Sequence, residues 1–388
     1  MLANHALKSS RPPEPEAGEG HFMPGWFSRP LHVSLCITND CNLSCKHCAP
    51  ASGQKLSREL DTPSWVALIE HLIESGVFNF TCTGGEPFLS RAMPAIIRTF
   101  VKHNRPFSIN TNATTVRRDL LSILAEAGHL FGGFTISLDG SSARTHDALR
   151  GRGAFAQLLR GLDLIRSMGF PYRFFCVVNQ HNKNEVPEIV EAAKRLGAYR
   201  IDLNAFGAVG RGCSFVQELN LEPRQQVEVT RLTRRLMKRH HRFVTGFYPD
   251  TVKSTQSRER FAKERRARSG ADSAKPCTLQ ACGALRRECT LRPDGTMIPC
   301  QSMSGFTIGS LLENSITRIW RNSFEAAYFR SLAGLPVSVS KACEACPYNP
   351  LCNGGCRAMA YGATGSLLST DPFCFYPARD YAPIWSDS

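Results

Sequence analysis

The chain has 388 residues and a formal net charge of +14, from 47 Lys and Arg residues against 33 Asp and Glu residues. This length exceeds one average domain and predicts one large and one small domain. No run of residues is apolar enough to span a bilayer, and residues 1–30 lack the apolar segment of a secretion signal, which argues against a membrane or secreted protein. In the reducing, cytoplasmic location that remains, 16 cysteines favour metal ligation over disulfides.

Positive charge is concentrated between residues 231 and 268. Such a stripe first suggests nucleic acid. It carries little aromatic interleaving and no nucleic-acid motif, however, so a solvated helical face or a dock for an acidic peptide is favoured and nucleic acid is disfavoured.

The amino-terminal region predicts a tail followed by a strand. Residues 1–30, rich in Pro, Glu and Gly, are typical of a disordered or draped segment. Residues 31–38 alternate apolar and small polar side chains, as strands do. Cys41, Cys45 and Cys48 follow at the spacing C-x3-C-x2-C. Active sites of parallel α/β folds gather at the carboxyl ends of strands, so the position of this loop favours catalysis.

Three thiolates from one loop can hold three irons of a four-iron cluster and leave the fourth iron open. The alternative is structural zinc with His47 as a further ligand, although zinc knuckles usually have the C-x2-C spacing. The spacing and its flanks resemble the radical S-adenosylmethionine (radical SAM) superfamily. The resemblance implies that Cys41, Cys45 and Cys48 bind a [4Fe–4S] cluster, whose fourth iron is chelated by the amino and carboxylate groups of S-adenosylmethionine.

A second motif follows the next predicted strand, residues 77–83, which ends in Gly84, Gly85 and Glu86. Two glycines allow the backbone to approach a ligand closely, and a carboxylate can pair with a cation. Downstream of the cysteine loop, these residues resemble the GGE motif of the superfamily. The resemblance implies that they bind the amino group of the cofactor's methionine portion.

Strands and helices continue to alternate along the first half of the chain. Further strands are predicted over residues 107–111, 134–138, 172–178 and 200–203. Helices are predicted from residue 62 to the stop at Gly76, and over residues 91–103, 117–127, 153–168 and 185–196. Six strands alternating with helices predict a parallel sheet that right-handed crossovers curl into a partial (β/α)6 barrel. Residues 207–212 (GAVGRG) lack the spacing of a dinucleotide-binding loop.

The segment from Ser137 to Arg150 resembles a strand and following loop of peptide-modifying radical SAM enzymes. The resemblance implies that Ser137 and Arg150 contact the cofactor's carboxylate, since a hydroxyl and a guanidinium suit that anion. The alternative is a strand hydroxyl and a helix-surface arginine. Asn112 and Asn179 are candidates to face the ribose and adenine.

The cysteines resume near the carboxyl terminus, as Cys282, Cys289, Cys300, Cys343, Cys346, Cys352, Cys356 and Cys374. Eight thiols divide into two four-ligand sites, and a pair of structural zinc sites is the alternative to clusters. The pattern C-x12-G-x4-C, C-x2-C-x5-C-x3-C and a final C closely resembles the SPASM domain, which follows some radical SAM barrels and binds two auxiliary four-iron clusters.

The SPASM resemblance assigns one auxiliary cluster to Cys282, Cys289, Cys300 and Cys356, and the other to Cys343, Cys346, Cys352 and Cys374. The spacing of Cys289 is variable, and without it the first auxiliary cluster would have an open iron able to bind substrate. The implied cofactors are therefore three [4Fe–4S] clusters and S-adenosylmethionine. The predicted organisation is a tail (1–30), a radical SAM partial barrel (31–213), a basic helical bridge (214–275), a small Cys-rich SPASM domain (276–376) and a C-terminal tail (377–388).

The family resemblance also implies the chemistry. A reduced cluster cleaves S-adenosylmethionine to a 5′-deoxyadenosyl radical, which abstracts a hydrogen atom, and auxiliary clusters imply an oxidative outcome that often needs a base. In anaerobic sulfatase maturases an aspartate follows the cysteine of the G-x4-C motif, whereas Gln301 stands here and cannot take a proton in that way. The candidates for a base elsewhere are Asp139, Asp202 and Tyr376, unranked.

The favoured function is oxidative modification, such as cross-linking, of a ribosomally made peptide. The implied partners are that peptide, a separate protein that presents its leader, and a low-potential electron donor such as flavodoxin or ferredoxin. The alternative is small-molecule oxidation, such as haem-precursor decarboxylation or alcohol dehydrogenation. Sulfatase maturation is less favoured because of Gln301, and a non-enzymatic scaffold is disfavoured by the intact cysteine triad and GGE motif.

Overall fold

The computed structural model describes residues 26–247, 278–279, 282–344, 346, 354–372 and 374. Most of the predicted amino-terminal tail, the arginine-rich residues 258–268, the predicted tail from residue 377 and the candidate base Tyr376 lie outside the described residues.

One ten-stranded sheet organises the described chain. Its strands are β1 (His32–Thr38), β2 (Asn79–Gly84), β3 (Phe107–Thr111), β4 (Phe131–Ser137), β5 (Tyr172–Val178), β6 (Ile201–Ala205), β7 (Val244–Phe247), β8 (Glu288–Leu291), β9 (Thr296–Ile298) and β10 (Gly309–Ser310). The order across the sheet is β10-β9-β8-β1-β2-β3-β4-β5-β6-β7. Strands β1 to β7 pair in parallel in chain order, which confirms the predicted parallel α/β architecture.

Helices separate the parallel strands and cover the sheet. They are α1 (Thr62–Glu74), α2 (Met93–Lys102), α3 (Arg118–Glu126), α4 (Ala143–Arg150), α5 (Ala154–Ser167), α6 (Val186–Arg195), α7 (Val216–Leu219), α8 (Pro223–Arg239), α9 (Ile316–Asn322), α10 (Phe324–Ser331), α11 (Lys341–Glu344) and α12 (Arg357–Thr364). Helix α1 shows how the sequence encodes them: the Asp61 carboxylate caps it by accepting from Ser64 N, Pro63 lies in its first turn, and Trp65 and Ile69 begin its buried face. Among the described residues, no helix is long and apolar enough to cross a bilayer.

Strand β7 and helix α4 were not predicted, and neither were the short strands β8, β9 and β10 that follow. The sheet gains a seventh parallel strand, β7, which pairs with β6 through Ile201 and Val244. Residues 143–150, predicted as loop, form helix α4 instead. Strand β7 has four residues, too few to show alternation, so its pairing with β6 is a tertiary effect.

The carboxyl-terminal region extends the same sheet. Strand β8 pairs in parallel with β1, with Val33 opposite Cys289 and Leu35 opposite Leu291. Beyond it, Trp320 of α9 is fully buried and its indole Nε1 donates to the Phe27 carbonyl at 3.0 Å. The main hydrophobic core contains buried residues from both regions. The cysteine-rich part therefore shares the sheet and the hydrophobic core of the barrel.

Candidate active site

The cysteine loop leaves the carboxyl end of β1, as predicted. Cys41 N donates to Gly53 O at 3.0 Å and Gly53 N donates to Asn39 O at 2.9 Å, so the loop is closed at its base. The Glu59 carboxylate accepts from Asn39 N at 2.8 Å and braces the same point. Cys45 is buried, and Cys41 and Cys48 are half-buried.

The GGE turn packs directly on the base of this loop. Gly85 N donates to Thr38 O at 2.7 Å and Glu86 N donates to Asp40 O at 2.8 Å. A Cβ on Gly85 would lie 2.0 Å from Asp40 O, closer than any side-chain carbon can approach. The sequence predicts close approach to a ligand, and the structure shows that Gly85 is needed for close approach to the chain's own cysteine loop.

Glu86 is fully buried beside the loop. Its carboxylate accepts from Thr111 Oγ1 and Asn112 N, both at 2.8 Å, and from Phe88 N at 3.2 Å. Burial raises the pKa of Glu86 to about 7, although these hydrogen bonds oppose the rise. A carboxylate has about four acceptor positions. Glu86 can therefore accept one more donor, such as an N–H of an amino group, which fits the predicted cofactor contact.

Arg150 and Asn112 both reach the cysteine thiols. Arg150 ends α4 and is buried, with Nη1 3.7 Å from Cys45 Sγ and Nε donating to Asp139 Oδ2 at 2.6 Å. Asn112 Nδ2 lies 3.9 Å from Cys41 Sγ. The contacts in the structure place Arg150 against Cys45 and Asp139 rather than on a helix surface.

His47, between Cys45 and Cys48, is nearly buried. Its Nε2 lies 3.3 Å from Arg150 Nη2 and 3.4 Å from Asp139 Oδ2. Burial lowers the pKa of His47 to about 4, aided by the positive charge of Arg150. The imidazole is therefore neutral near pH 7, and its Nε2 can accept from Arg150.

The two remaining cofactor candidates have different surroundings. Ser137 ends β4, half-buried, and pairs with Phe175 of β5. Asn179 is fully buried, and its side chain is used within its own loop: Nδ2 donates to Val177 O at 2.8 Å and Oδ1 accepts from His181 N at 2.9 Å.

The two described base candidates are both ion-paired. Asp139 is fully buried, and although burial opposes ionisation, Arg150, two neighbouring histidines and a hydrogen bond from Val177 N together lower the pKa of Asp139. Asp202 on β6 accepts from Thr245 Oγ1 and lies 3.2 Å from Arg173 and 3.0 Å from Arg200. The lowered pKa weakens Asp139 as a proton acceptor.

Three of the carboxyl-terminal cysteines come together. The thiols of Cys282, Cys300 and Cys356 lie close enough for their charges to act on one another. Burial raises the pKa of Cys356 to about 11, and Asp371, which accepts from Cys356 N at 2.7 Å, adds to the rise. Cys289 has another setting: it lies in β8, almost fully buried in the core, and the charged groups that act on it are Glu288 and Arg330.

The other predicted set is only partly described. Cys343 lies in α11, and Cys346 N donates to Cys343 O at 3.3 Å. Cys374 N donates to Asp371 O at 2.9 Å. Cys352 lies outside the described residues.

Gln301 lies in a cleft between the barrel and the carboxyl-terminal region. The cleft is lined by the end of β1 and the GGE turn on one side, through Cys36, Thr38 and Gly84, and by Arg292 and Gln301 on the other. The position that carries an aspartate in sulfatase maturases is therefore occupied by an amide in a cleft that also borders the GGE turn.

The thiols of the first loop need positive charge beside them to be ionised. Burial, Glu86 and the neighbouring thiols raise the pKa of Cys41 to about 12, and burial also raises that of Cys45. Iron supplies the positive charge that would keep such thiols ionised. Within the described ranges no three His, Cys, Asp or Glu side chains stand close enough to share one ion. In a four-iron cluster each thiolate binds its own iron, so the thiolates need not meet at one point.

Arg211 is a functional candidate that sequence reasoning missed. Its Nη1 donates to Cys45 O at 2.9 Å, its Nη2 donates to Ser52 O, and its backbone N donates to Cys48 O at 3.0 Å. Gly210 makes this approach possible, because φ is +54° and a Cβ would lie 2.0 Å from Ala49 O. The available signal was the GAVGRG cluster after β6, which excluded a dinucleotide loop but indicated no alternative.

Comparison with known proteins agrees with this geometry. Residues 35–193 match the family model of the radical SAM superfamily. Residues 282–347 match that of the SPASM iron–sulfur cluster-binding domain.

Three similar proteins span nearly the same length. The mycofactocin maturase MftC of Mycobacterium ulcerans is 29% identical over 356 residues, covering 90% of this chain and 89% of that protein. The AdoMet-dependent heme synthase of Methanosarcina barkeri is 27% identical and covers 89% and 97%. The PqqA peptide cyclase of Granulibacter bethesdensis is 26% identical and covers 89% and 87%.

A solved structure has the same fold. Streptococcus suis SuiB, crystallised with its precursor peptide SuiA, superposes with a TM-score of 0.69 at 16% identity, over 90% of this chain and 76% of that one. At this identity the likeness concerns architecture alone.

Proposed function

The chain belongs to the radical SAM superfamily and carries a SPASM domain, and from this premise we propose that it is an enzyme for oxidative modification of a ribosomally made peptide. The radical SAM chemistry is supported by one observation. The GGE turn is hydrogen-bonded to the base of the cysteine loop, and this brings buried Glu86 next to Cys41. The peptide substrate is supported by the similarity to maturases and a peptide cyclase.

Cys41, Cys45 and Cys48 would hold the first [4Fe–4S] cluster, and Glu86 would bind the amino group of S-adenosylmethionine. With both bound, the cofactors supply a 5′-deoxyadenosyl radical that can take a hydrogen atom from an unactivated C–H bond. The protein orients the cofactor and shields the site. The Gly85 turn fixes the loop, Glu86 orients the amino group, and the buried ion pair of Arg150 and Asp139 closes the site behind Cys45.

The same proposal gives the enzyme two auxiliary clusters. One is held by Cys282, Cys300 and Cys356. The packing of Cys289 in the sheet supports a three-thiol site with one iron open to substrate.

The second auxiliary cluster is held by Cys343, Cys346, Cys352 and Cys374. Anaerobic analysis should then find about twelve irons per chain, as three four-iron clusters require. Cys289→Ser should keep them and Cys300→Ser should lose a share. A loss in Cys289→Ser would return that residue to the ligand set.

Two partners complete the proposal. A low-potential donor, flavodoxin or ferredoxin, reduces the first cluster, and a separate protein presents the leader of the peptide. Exposed basic side chains of α8, including Arg235, Lys238 and Arg239, support docking of an acidic partner.

A second function has specific support. The similarity to a heme synthase, at almost the same identity and greater coverage of that protein, favours decarboxylation of a haem precursor as the alternative. A short peptide gene beside the coding sequence would favour peptide maturation, whereas tetrapyrrole genes would favour the alternative. Incubation of reduced enzyme with each candidate, followed by mass spectrometry, separates the two directly.

The radical SAM activity is tested without a substrate. Reduced holoenzyme with S-adenosylmethionine should produce 5′-deoxyadenosine. Cys45→Ala should abolish this product, and Cys213→Ala, which alters an exposed cysteine, should retain it. Product formation by Cys45→Ala at the wild-type rate would refute the assignment.

A further inference from the structure

Two side-chain N–H groups point at two of the three thiols of the first cysteine loop. Arg150 Nη1 lies 3.7 Å from Cys45 Sγ, and Asn112 Nδ2 lies 3.9 Å from Cys41 Sγ. Both distances suit N–H···S hydrogen bonds, which are longer than bonds to oxygen because sulfur is larger. The two donors come from different elements, the end of α4 and the loop after β3.

The Arg150 guanidinium is held so that one edge faces Cys45. Its Nε donates to Asp139 Oδ2 at 2.6 Å, and Asp139 Oδ1 is fixed by Val177 N of β5 at 2.7 Å. Its Nη2 lies 3.3 Å from His47 Nε2. These contacts occupy the other two nitrogens, and the residue is buried, so Nη1 is directed at the thiol.

The orientation of Asn112 is also determined. Its Oδ1 accepts from Thr114 N at 2.8 Å and from Thr114 Oγ1 at 2.6 Å. A backbone N–H can only donate, so this end of the amide must be the oxygen. The nitrogen therefore faces Cys41 and Asn42 Oδ1, the latter at 3.1 Å.

We infer that Arg150 and Asn112 are positioning residues that hydrogen-bond the Cys45 and Cys41 thiolates and raise the reduction potential of the first cluster. Hydrogen bonds to cluster sulfurs stabilise the more negative, reduced state, and they are among the determinants of cluster potentials. The inference rests on the proposed function, because it takes Cys41, Cys45 and Cys48 as cluster ligands. It differs from the cofactor-carboxylate contact that the sequence implied for Arg150 and the ribose or adenine contact implied for Asn112, which stay predictions.

The test is a potentiometric EPR titration of anaerobic holoenzyme without S-adenosylmethionine. The first cluster is identified as the one whose signal changes when the cofactor is added. Arg150→Met and Asn112→Ala should each make the potential of the first cluster more negative. Arg150→Lys should give a smaller shift than Arg150→Met. The matched control is Arg144→Met on the same helix, which removes an exposed arginine paired with Glu185 and should leave the potential unchanged.

Every outcome of the titration supports or overturns the inference. Variants with the wild-type potential would overturn the inference, and so would variants that lose only affinity for S-adenosylmethionine, since that result assigns Arg150 to the cofactor. If the variants fail to hold a cluster, unsubstituted protein labelled with ¹⁵N-arginine serves instead. Pulsed EPR of the reduced first cluster should then show a ¹⁵N coupling, and its absence would overturn the inference. Unsubstituted protein with no cluster at these cysteines would overturn the proposed function as well.

Discussion

Glu86 combines full burial with three hydrogen bonds from uncharged donors, and its pKa of about 7 follows from that environment. Below that pH the carboxyl is protonated, and above it the carboxylate can accept a hydrogen bond from the cofactor's amino group. An amino group that chelates iron has lost its ammonium proton, whose ordinary pKa is about 7.7–8.0, so chelation also favours higher pH. We therefore expect S-adenosylmethionine to bind more weakly as the pH falls through about 7.

Equilibrium dialysis with cluster-loaded protein between about pH 6 and pH 8 measures this effect. Glu86→Gln should bind weakly at every pH and show a smaller dependence, since only the proton lost by the amino group then contributes. Glu126→Gln, a change at an exposed carboxylate of α3, should keep it. An unsubstituted protein with the same pH dependence as Glu86→Gln would show that Glu86 does not hold the amino group.

Gly85 provides a prediction about packing. Because a Cβ would lie 2.0 Å from Asp40 O, Gly85→Ala must push the GGE turn away from the cysteine loop. Overpacking of this kind costs about 1–3 kcal/mol of unfolding free energy. Denaturant unfolding of the cluster-loaded protein should show this loss together with reduced iron content. Gly334→Ala, where a Cβ meets nothing within 4 Å, should show neither, and equal losses in both variants would contradict the prediction.

Much of the site at this scale was readable from sequence, but the contacts of individual side chains were not. Sequence spacing alone is enough to recognise Cys41, Cys45, Cys48 and the GGE motif. Arg150 has no such pattern: its burial and its contact with Cys45 arise only when α4 docks on the cysteine loop, where Lys46 N donates to Leu149 O at 3.0 Å.

At the scale of elements, the short segment Gly210–Phe215 after β6 clamps the cysteine loop through Arg211. Arg211→Gln removes charged hydrogen bonds to the carbonyls of Cys45 and Ser52, each worth about 1.5–3 kcal/mol. The loop should then open more readily, and a chelator should remove iron from the first cluster faster.

Iron release is followed by absorbance after an iron chelator is added to anaerobic protein. Arg160→Gln, on the exposed face of α5, is the matched control and should release iron at the original rate. Iron loss from Arg211→Gln at that same rate would mean that the clamp does not hold the loop.

Whether a strand or helix could be predicted from the sequence depended on how strong its local signals are. Helix α1 and strand β5 were predicted closely because caps and alternation are local signals. Strand β7 and helix α4 were missed. The four residues of β7 have too few alternations, and α4 has a polar sequence, in which His146 and Arg150 are buried only through tertiary contacts.

For the whole molecule, the decisive contact is the pairing of β8 with β1, which joins the cysteine-rich region to the barrel sheet. Residues 32–35 and 288–291 are separated by some 250 positions in the chain, and no local pattern specifies which edge of a sheet a distant strand will join. The sequence predicts a second domain correctly in kind, whereas the shared sheet and core are visible only in the structure.

This shared sheet predicts that the two regions stay together without a covalent link. A protease site inserted between residues 248 and 277 allows the folded, cluster-loaded protein to be cut. The fragments should co-elute in size-exclusion chromatography, because β1 pairs with β8 and buried side chains such as Val33, Leu291 and Trp320 belong to one core. Leu291→Asp places a charge in that core and should separate the cut fragments, whereas Leu312→Asp, at an exposed leucine, should not. Fragments of the unsubstituted protein that separate after cutting would mean that the linking segment, rather than the sheet, holds the regions together.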